Sequence, residues 1–360
     1  MKNKVLMCGN EACGEGAVLA GCRFYAGYPI TPQNELTAYM AKRMNETGGV
    51  FIQAESELAA INMVFGAAAT GVRAMTSSSS PGMSLKQEGI SYLVGCELPC
   101  VMVNMQRGGP GLGNIAPAQG DYFQAVKGGG HGDYKVIVLA PSSAQEFLDY
   151  TMLAFDLADK YRNPALILGD GLLGQMMEPI QLPGPPAHEA KGASGRDQGP
   201  GVEKPWALTG CRGRSANIIR SLILAEGALE EHNKKLQEKF RSITMAETRS
   251  ESFNIKDSKI VLVAYGSVAR IAKASMQMAR AKGLKVGLIR PVTLWPFPDD
   301  AIRNACLSAK KFLVVEMSAG QMVEDVRLAV NGRAPVEFHG RMGGGIPSEE
   351  EILQKIETLA

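Results

Sequence analysis

Paired cysteines are missing from this chain. Seven cysteines stand at positions 8, 13, 22, 96, 100, 211 and 306, and no two make a C-x-x-C. Cys8 and Cys13 have the first spacing of a plant-type iron–sulfur loop, but the next cysteine, Cys22, comes too late for it. Free thiols, buried or partly buried, are therefore expected, and no cluster on this chain. Only four histidines are present, scattered at 131, 188, 232 and 339, which argues against a zinc site. Aromatic residues are scarce at 6%, whereas glycines number 41, a balance that disfavours an all-β fold and suits an α/β protein with many tight βα turns. The net charge of +2 excludes an extended basic face for nucleic acid. No apolar run reaches about 18 residues, so no membrane span is expected. Met1-Lys2-Asn3-Lys4 runs straight into Val5-Leu6-Met7, with no long apolar stretch and no cleavage site, so a cytoplasmic protein is expected.

A chain of 360 residues exceeds one ordinary domain. Strand and helix patterns alternate through the first half, which predicts a parallel sheet with right-handed crossovers. The predicted strands cover 50–52, 73–76, 99–105, 135–139 and 165–168. The predicted helices cover 14–22, 33–44, 55–70 and 85–94; the first is small and apolar enough to pack closely on a sheet. The composition turns to Pro, Gly, Ser and charge over 181–205, which reads as a linker. An amphipathic helix is predicted over 221–240. A second α/β unit starts near Lys259, with strands at 260–264, 286–289, 312–315 and 336–338, a Ser267 cap before a helix over 268–282, and a last helix over 348–359. The expected domains are 1–180, a connecting segment 181–258, and 259–360.

The stretch Gly27-Tyr28-Pro29-Ile30-Thr31-Pro32 places one hydroxyl between two prolines. Pro32 is suited to open a helix, which puts Thr31 at the N-cap. A helix N-terminus also binds anions, so Thr31 is both a cap and a candidate for holding a carboxylate. Glu57 falls in the first turn of a predicted helix, where acidic residues favour the macrodipole; in a buried cleft the same carboxylate could move one proton. Arg107 follows a predicted strand, at the end where open α/β sheets bind ligands, and its planar fork suits a carboxylate. The bland alternative is a solvated surface arginine. Gly169-Asp170-Gly171 has the opening of a thiamine diphosphate–Mg²⁺ motif, but the window 195–200, where its Asn belongs, contains none, so a βα turn is expected and no metal site. The segment Gly111-Leu112-Gly113-Asn114 is flanked by Pro110 and Pro117, which excludes the helix a dinucleotide fingerprint needs. Serines 77–80 have no adjacent His or Lys in a nucleophile-elbow context.

The texts GNEACGEGAVLAGCRFYAGYPITP, ESELAAINMVFGAA, SSSSPGMSLKQEG and VNMQRGGPG, in that order, resemble the α subunit of the 2-oxoacid:ferredoxin oxidoreductases. VAYGSVARIAKA and LIRPVTLWPFP resemble that family's transketolase-C-like domain. Within the family, KGGGHGDYKVIVLAPSS and ILGDGLLGQMMEP are most similar to the branched-chain type, acting on 3-methyl-2-oxobutanoate. The resemblance covers nearly the whole chain outside the linker and the helix after it. It implies an α/β fold, a pyrimidine-type thiamine-diphosphate domain of parallel sheet followed by a smaller transketolase-C-like domain. It implies that Thr31 and Arg107 hold the 2-oxoacid carboxylate. Glu57 would pair with N1′ of the thiamine diphosphate aminopyrimidine, the contact that lets the cofactor lose its C2 proton. Glu55 competes for that role, but Glu57 directly precedes the L-A-A-I text. The family's diphosphate/Mg²⁺ half-site belongs to a β subunit and its [4Fe–4S] clusters to partner subunits, one of them a small ferredoxin-like chain; CoA is co-substrate and ferredoxin the acceptor. A hetero-oligomer with two or more copies of this chain is implied, inactive without its partners. The alternatives are a 2-oxoglutarate or pyruvate enzyme, or a non-catalytic scaffold.

Overall fold

The computed structural model describes residues 4–183 and 204–360. Most of the expected linker, including the window 195–200, lies outside the described residues. The first half runs β1 (Lys4–Cys8), α1 (Gly9–Leu19), β2 (Phe24–Gly27), α2 (Asn34–Thr47), β3 (Val50–Gln53), α3 (Glu57–Ala69), β4 (Ala74–Ser78), α4 (Ser80–Gly95), β5 (Val101–Gln106), α5 (Tyr122–Lys127), β6 (Ile137–Leu139), α6 (Ala144–Tyr161), β7 (Ala165–Asp170), α7 (Gly171–Gln175) and β8 (Met177–Gln181). The second runs α8 (Ala228–Glu247), β9 (Ser250–Phe253), β10 (Ile260–Val263), α9 (Gly266–Ala281), β11 (Val286–Pro291), β12 (Thr293–Trp295), α10 (Asp299–Ala305), β13 (Lys311–Glu316), α11 (Met322–Val330), β14 (Val336–Gly340) and α12 (Glu349–Leu359).

The main sheet has seven strands in the order β12-β6-β7-β5-β4-β2-β3. Its six first-half strands are parallel, and β12 adds antiparallel to β6. β5 and β7 are buried along their whole length, as strands covered on both faces must be. β1 and β8, absent from the sequence reading, form a separate antiparallel ribbon. The helix predicted over 14–22 begins instead at Gly9 and packs on α6 and α2 rather than on the sheet. Its glycines permit that approach: a Cβ on Gly16 would stand 2.5 Å from the Leu148 carbonyl oxygen.

The second sheet has the order β14-β13-β10-β11-β9, with β9 antiparallel at its edge. Side chains of its central strands alternate between two cores, as the two-residue period requires. Val261, Val263, Ile289, Phe312 and Val314 join the core that runs on into the first half. Ile260, Leu262, Leu288, Leu313 and Val315 face α9 and α12. The helix expected over 221–240 lies at Ala228–Glu247 and buries Leu236, Phe240, Ile243 and Glu247 on one face. It binds the first half through Lys235 and Lys239 to Glu97, and through Glu247 to Lys160 and Tyr161.

Candidate functional site: a cleft at the carboxyl ends of β2, β4 and β5

β2 leads to β3 on one side, and β4 leads to β5 on the other. Loops leaving adjacent strands β2 and β4 therefore part, and such a switch point opens a crevice at the strand ends. The Pro-Ile-Thr-Pro loop follows β2, serines 79 and 80 follow β4, and Arg107 follows β5.

Thr31 is not a helix cap. α2 begins at Asn34 with Gln33 at the N-cap, and the Thr31 hydroxyl accepts from Asn34 Nδ2 at 3.2 Å. Gln33 cannot cap with its side chain because that side chain is buried elsewhere: Oε1 accepts from Thr37 Oγ1 at 3.1 Å and from Ser77 Oγ at 2.5 Å. Tyr25, whose hydroxyl lies 2.6 Å from Ser77 Oγ, completes this knot between β2, β4 and α2.

Arg107 is buried, 8% exposed, which overturns the surface alternative. Nη1 donates to the Thr31 carbonyl at 2.9 Å and Nη2 to the Leu112 carbonyl at 3.1 Å, while Nε is buried with no partner. Both acceptors are neutral, and no carboxylate pairs with this charge among the described residues. A buried, unpaired guanidinium is costly unless an anion meets it. The loop carrying Leu112 turns where only glycine fits, since a Cβ on Gly113 would meet the Gly108 carbonyl oxygen at 1.7 Å. As expected, no helix starts inside this loop.

Glu57 opens α3 behind the Ser56 N-cap, whose hydroxyl accepts from the Ala59 amide at 3.1 Å. The predicted start at 55 is two residues early, and the correction separates the rivals: Glu55 is exposed outside the helix, Glu57 is 6% exposed within it. The Glu57 carboxylate has no hydrogen-bond partner among the described residues. It faces α4 at Gly82, where a Cβ would lie 2.5 Å from Glu57 Oε1 and 2.1 Å from Ser78 Oγ. Ser78 Oγ and Ser79 Oγ are buried and unpartnered. Serines 77–80, expected in a loop, end β4 and begin α4, which starts at Ser80 rather than 85. Thr31 and Arg107 touch. Glu57 hydrogen-bonds to neither among the described residues and lies by this turn, with Ser78 and Gly82 on its side. On the other side Ser80 Oγ accepts from the Arg107 amide at 3.0 Å.

Two residues of the cleft escaped the sequence reading. Asp121 accepts from Ser80 Oγ at 2.6 Å and from Asn104 Nδ2 at 2.9 Å, and burial raises its pKa. These contacts span up to 41 residues and leave no local trace. Lys86 did leave one: it is the cation in the buried stripe of α4 beside Met83 and Ile90. Its Nζ donates to Thr76 Oγ1 at 2.6 Å and to the Ser77 carbonyl at 3.0 Å, so a lysine does lie against the serine run, although it meets no serine hydroxyl.

Asp170 serves a βα turn, as expected. Oδ1 accepts from the Leu172 and Leu173 amides, and Oδ2 accepts from Ser267 Oγ at 2.8 Å. Ser267 thus does not cap α9; its hydroxyl ties the second unit to the first. Among the described residues no group of three or more His, Cys, Asp or Glu is placed to hold a metal ion. Cys8, Cys13, Cys22, Cys96 and Cys100 are buried, Cys306 is half-buried, and only Cys211 is exposed. Burial pushes the thiols of Cys13, Cys22 and Cys100 up to about 12, far from the thiolate form a metal needs. No helix among the described residues is long and apolar enough to cross a membrane.

The family model described as "Pyruvate flavodoxin/ferredoxin oxidoreductase, thiamine diP-bdg" matches residues 15–215. A second, "Pyruvate:ferredoxin oxidoreductase core domain II", matches residues 258–352. The chain belongs to the 2-oxoacid:ferredoxin oxidoreductase family. It is 51% identical to the ketoisovalerate oxidoreductase subunit VorB of Methanothermobacter marburgensis, over 98% of this chain and 97% of that one. It is 38% identical to the 2-oxoglutarate synthase subunit KorA of Methanothermobacter thermautotrophicus, over 99% of both. The fold matches, with a TM-score of 0.84 and 28% identity, a 2-oxoglutarate:ferredoxin oxidoreductase from Magnetococcus marinus solved with 2-oxoglutarate, coenzyme A and succinyl-CoA bound, covering 99% of this chain and 65% of that chain. The family's cofactor fits the cleft on this chain's own terms. A flat heteroaromatic edge carrying donor and acceptor nitrogens would meet the Glu57 carboxylate, which packs against Gly82 with no hydrogen-bond partner among the described residues, and the unpartnered Ser78 and Ser79 hydroxyls beside it. The cofactor's metal does not fit here, because Asp170 spends both oxygens on the fold.

Proposed function

We propose that this chain supplies the pyrimidine half of a thiamine-diphosphate site in a complex that oxidatively decarboxylates a branched-chain 2-oxoacid, with CoA as acyl acceptor and ferredoxin as electron acceptor. The single observation that carries the reading is that two buried groups of opposite character are left open at one crevice: among the described residues, Glu57 is without a hydrogen-bond partner and Arg107 without a carboxylate. Arg107 binds the substrate carboxylate with the fork edge its backbone acceptors leave free, and Thr31 keeps its hydroxyl proton for the same anion, since that oxygen already accepts from Asn34. Glu57 holds and moves a proton at N1′ of the aminopyrimidine, inside a buried rim where water competes little. The cofactor, when bound, would supply a carbon acid that becomes a nucleophile on loss of its proton and a cationic ring able to take up the electron pair left by CO₂. Clusters held by the partner subunits would supply the route by which two electrons reach ferredoxin. The diphosphate and Mg²⁺ belong to a β subunit, which fits a chain whose one candidate aspartate is consumed by capping.

The branched-chain preference rests on the 51% identity to a subunit named for ketoisovalerate, against 38% to one named for 2-oxoglutarate. The test is anaerobic viologen or ferredoxin reduction by the complex reconstituted with its partner subunits, across a panel of 2-oxoacids with CoA. Highest kcat/KM on 3-methyl-2-oxobutanoate is the expected result. A preference for 2-oxoglutarate or pyruvate overturns the substrate class. Assembly without cofactor binding or turnover favours the scaffold alternative.

A further inference from the structure

Helices α3 and α4 meet through two glycines of α4. A Cβ on Gly82 would stand 2.5 Å from Glu57 Oε1, and a Cβ on Gly89 would stand 2.6 Å from Ile61 Cγ2. Glu57 and Ile61 are one turn apart on α3, and Gly82 and Gly89 two turns apart on α4. Lys86 falls between these glycines, one turn beyond Gly82 and on the same face. Long helical side chains point back towards the helix N-terminus, so Lys86 runs from this seam towards the first turn of α4, where the Glu57 carboxylate lies. Its landing point agrees: Nζ reaches Thr76 Oγ1 and the Ser77 carbonyl at the end of β4, next to Ser78 and Gly82.

Lys86 is fully buried, with no exposed surface. Both of its described hydrogen-bond acceptors are neutral, and none of the described ion pairs includes it. Buried lysines without a carboxylate in contact are rare because desolvation of the ammonium is costly. The groups that face it are few. Glu57 comes from α3, the Cys100 thiol from the residue just before β5, and the Tyr25 hydroxyl stands behind Ser77. Cys100 and Tyr25 are each pushed by burial up to about 12 and carry no charge near neutrality. That leaves Glu57 as the anion in the field of Lys86.

We propose that Lys86 is a positioning residue for Glu57: a buried counter-charge beneath α4 that fixes the orientation of the carboxylate at the α3–α4 seam. The assignment of Glu57 to proton movement on the cofactor rests on the function proposed above; the pairing of Glu57 with Lys86 does not. A methionine at 86 would fill the same seam without charge. Glu57 would then lose its counter-charge and its fixed orientation, and its proton transfer would slow. Substrate capture by Arg107 would be untouched, because Arg107 lies on the other side of the Ser80 turn.

The test has two arms. In the full-length chain alone, lysines carrying ¹³C at Cε are titrated by NMR, with Lys86→Met identifying the resonance. Burial lowers the Lys86 ammonium to about 7, against an attraction from Glu57 that raises it. In Glu57→Gln that attraction is gone, so the Lys86 midpoint is expected to fall by about one pH unit, a tenfold change in its protonation constant. An unchanged midpoint in Glu57→Gln, or a wild-type Lys86 titrating in the ordinary lysine range near 10.4, overturns the pairing. In the assembled complex, Lys86→Met is expected to slow thiamine C2 proton exchange and to lower kcat about tenfold, with KM for the 2-oxoacid unchanged. A merely structural lysine would lower thermal stability and leave C2 exchange and kcat in the assembled complex in place, which overturns the positioning role. A midpoint that shifts as expected while exchange is indifferent to both Glu57→Gln and Lys86→Met keeps the pairing and overturns the thiamine reading of Glu57.

Discussion

At the scale of single residues, the cleft is defined by groups left without partners. Glu57→Gln keeps the shape and nearly the helix propensity, so fold and assembly are expected to survive. Exchange of the thiamine C2 proton for deuterium in the assembled complex should collapse in Glu57→Gln and persist in Glu55→Gln, whose exposed side chain stands outside α3. A helix-start charge alone would cost about 0.3–1 kcal/mol and leave exchange intact. For Arg107→Ala, the lost charge-assisted bond is about 1.5–3 kcal/mol, which predicts a fall in kcat/KM of about 10- to 150-fold in steady-state assays with the cofactor retained. Arg107→Lys should recover little, since a single ammonium cannot reach the Thr31 and Leu112 carbonyls and a substrate carboxylate together. Unchanged kinetics in both variants would remove Arg107 from the site.

Lys86 also links the cleft to stability. Its folded pKa is depressed by burial to about 7, below the unfolded value of about 10.4. Between these values the unfolded chain binds the extra proton, so the contribution of this group to stability rises with pH from about 7 to 10 and is lost as pH falls through 7. Denaturant midpoints of wild type and Lys86→Met, measured from pH 6 to about pH 10, should therefore diverge in favour of wild type as pH rises. Parallel curves would mean that Lys86 keeps an ordinary pKa.

At the scale of elements, glycines decide how closely helices approach. α1 lies on α6 because Gly16 faces the Leu148 carbonyl, a backbone atom that cannot move aside as a side chain tip can. Gly16→Ala gains about 1 kcal/mol of helix propensity. It must also open the α1–α6 seam against a 2.5 Å contact, and overpacking of this kind costs about 1–3 kcal/mol. A lower thermal midpoint is expected by circular dichroism; a higher one would show that the seam yields. The helix predictions erred for a related reason. α4 was expected to begin at 85, since serines, Pro81 and Gly82 read as a loop. In the fold Pro81 takes an early helical position, where no amide donor is needed, and Gly82 admits the Glu57 carboxylate.

At the scale of the whole molecule, the two sheets are not independent. β12 leaves the second unit to extend the main sheet, with Thr293 opposite Leu139 and Trp295 opposite Val138. Arg290 of β11, almost fully buried, donates to Glu146 on α6 at 2.8 and 2.9 Å, and Ser267 reaches Asp170. One hydrophobic core runs through both units. The full chain should therefore unfold in one thermal transition, with far-ultraviolet circular dichroism and tryptophan fluorescence coinciding. Two separated transitions would show that the shared core couples the units weakly.

The local patterns of this sequence were enough for the alternating α/β architecture, for Glu57 near a helix start and for Arg107 after a strand, because period, turn chemistry and strand-end position are carried by neighbouring residues. The ordered motifs were also enough for the family. They could not separate Glu57 from Glu55 by environment, remove Thr31 from its cap, or connect Ser267 to Asp170. Those outcomes depend on partners far along the chain: Gln33 leaves the cap because Ser77 takes its oxygen, 44 residues on, and Ser267 is drawn across 97 residues to a buried carboxylate. Burial of Arg107 and Lys86 was decided in the same way. A cation reads as solvated until the fold shows which surfaces close over it, and here the strand ends of one sheet and the seam between α3 and α4 close over both.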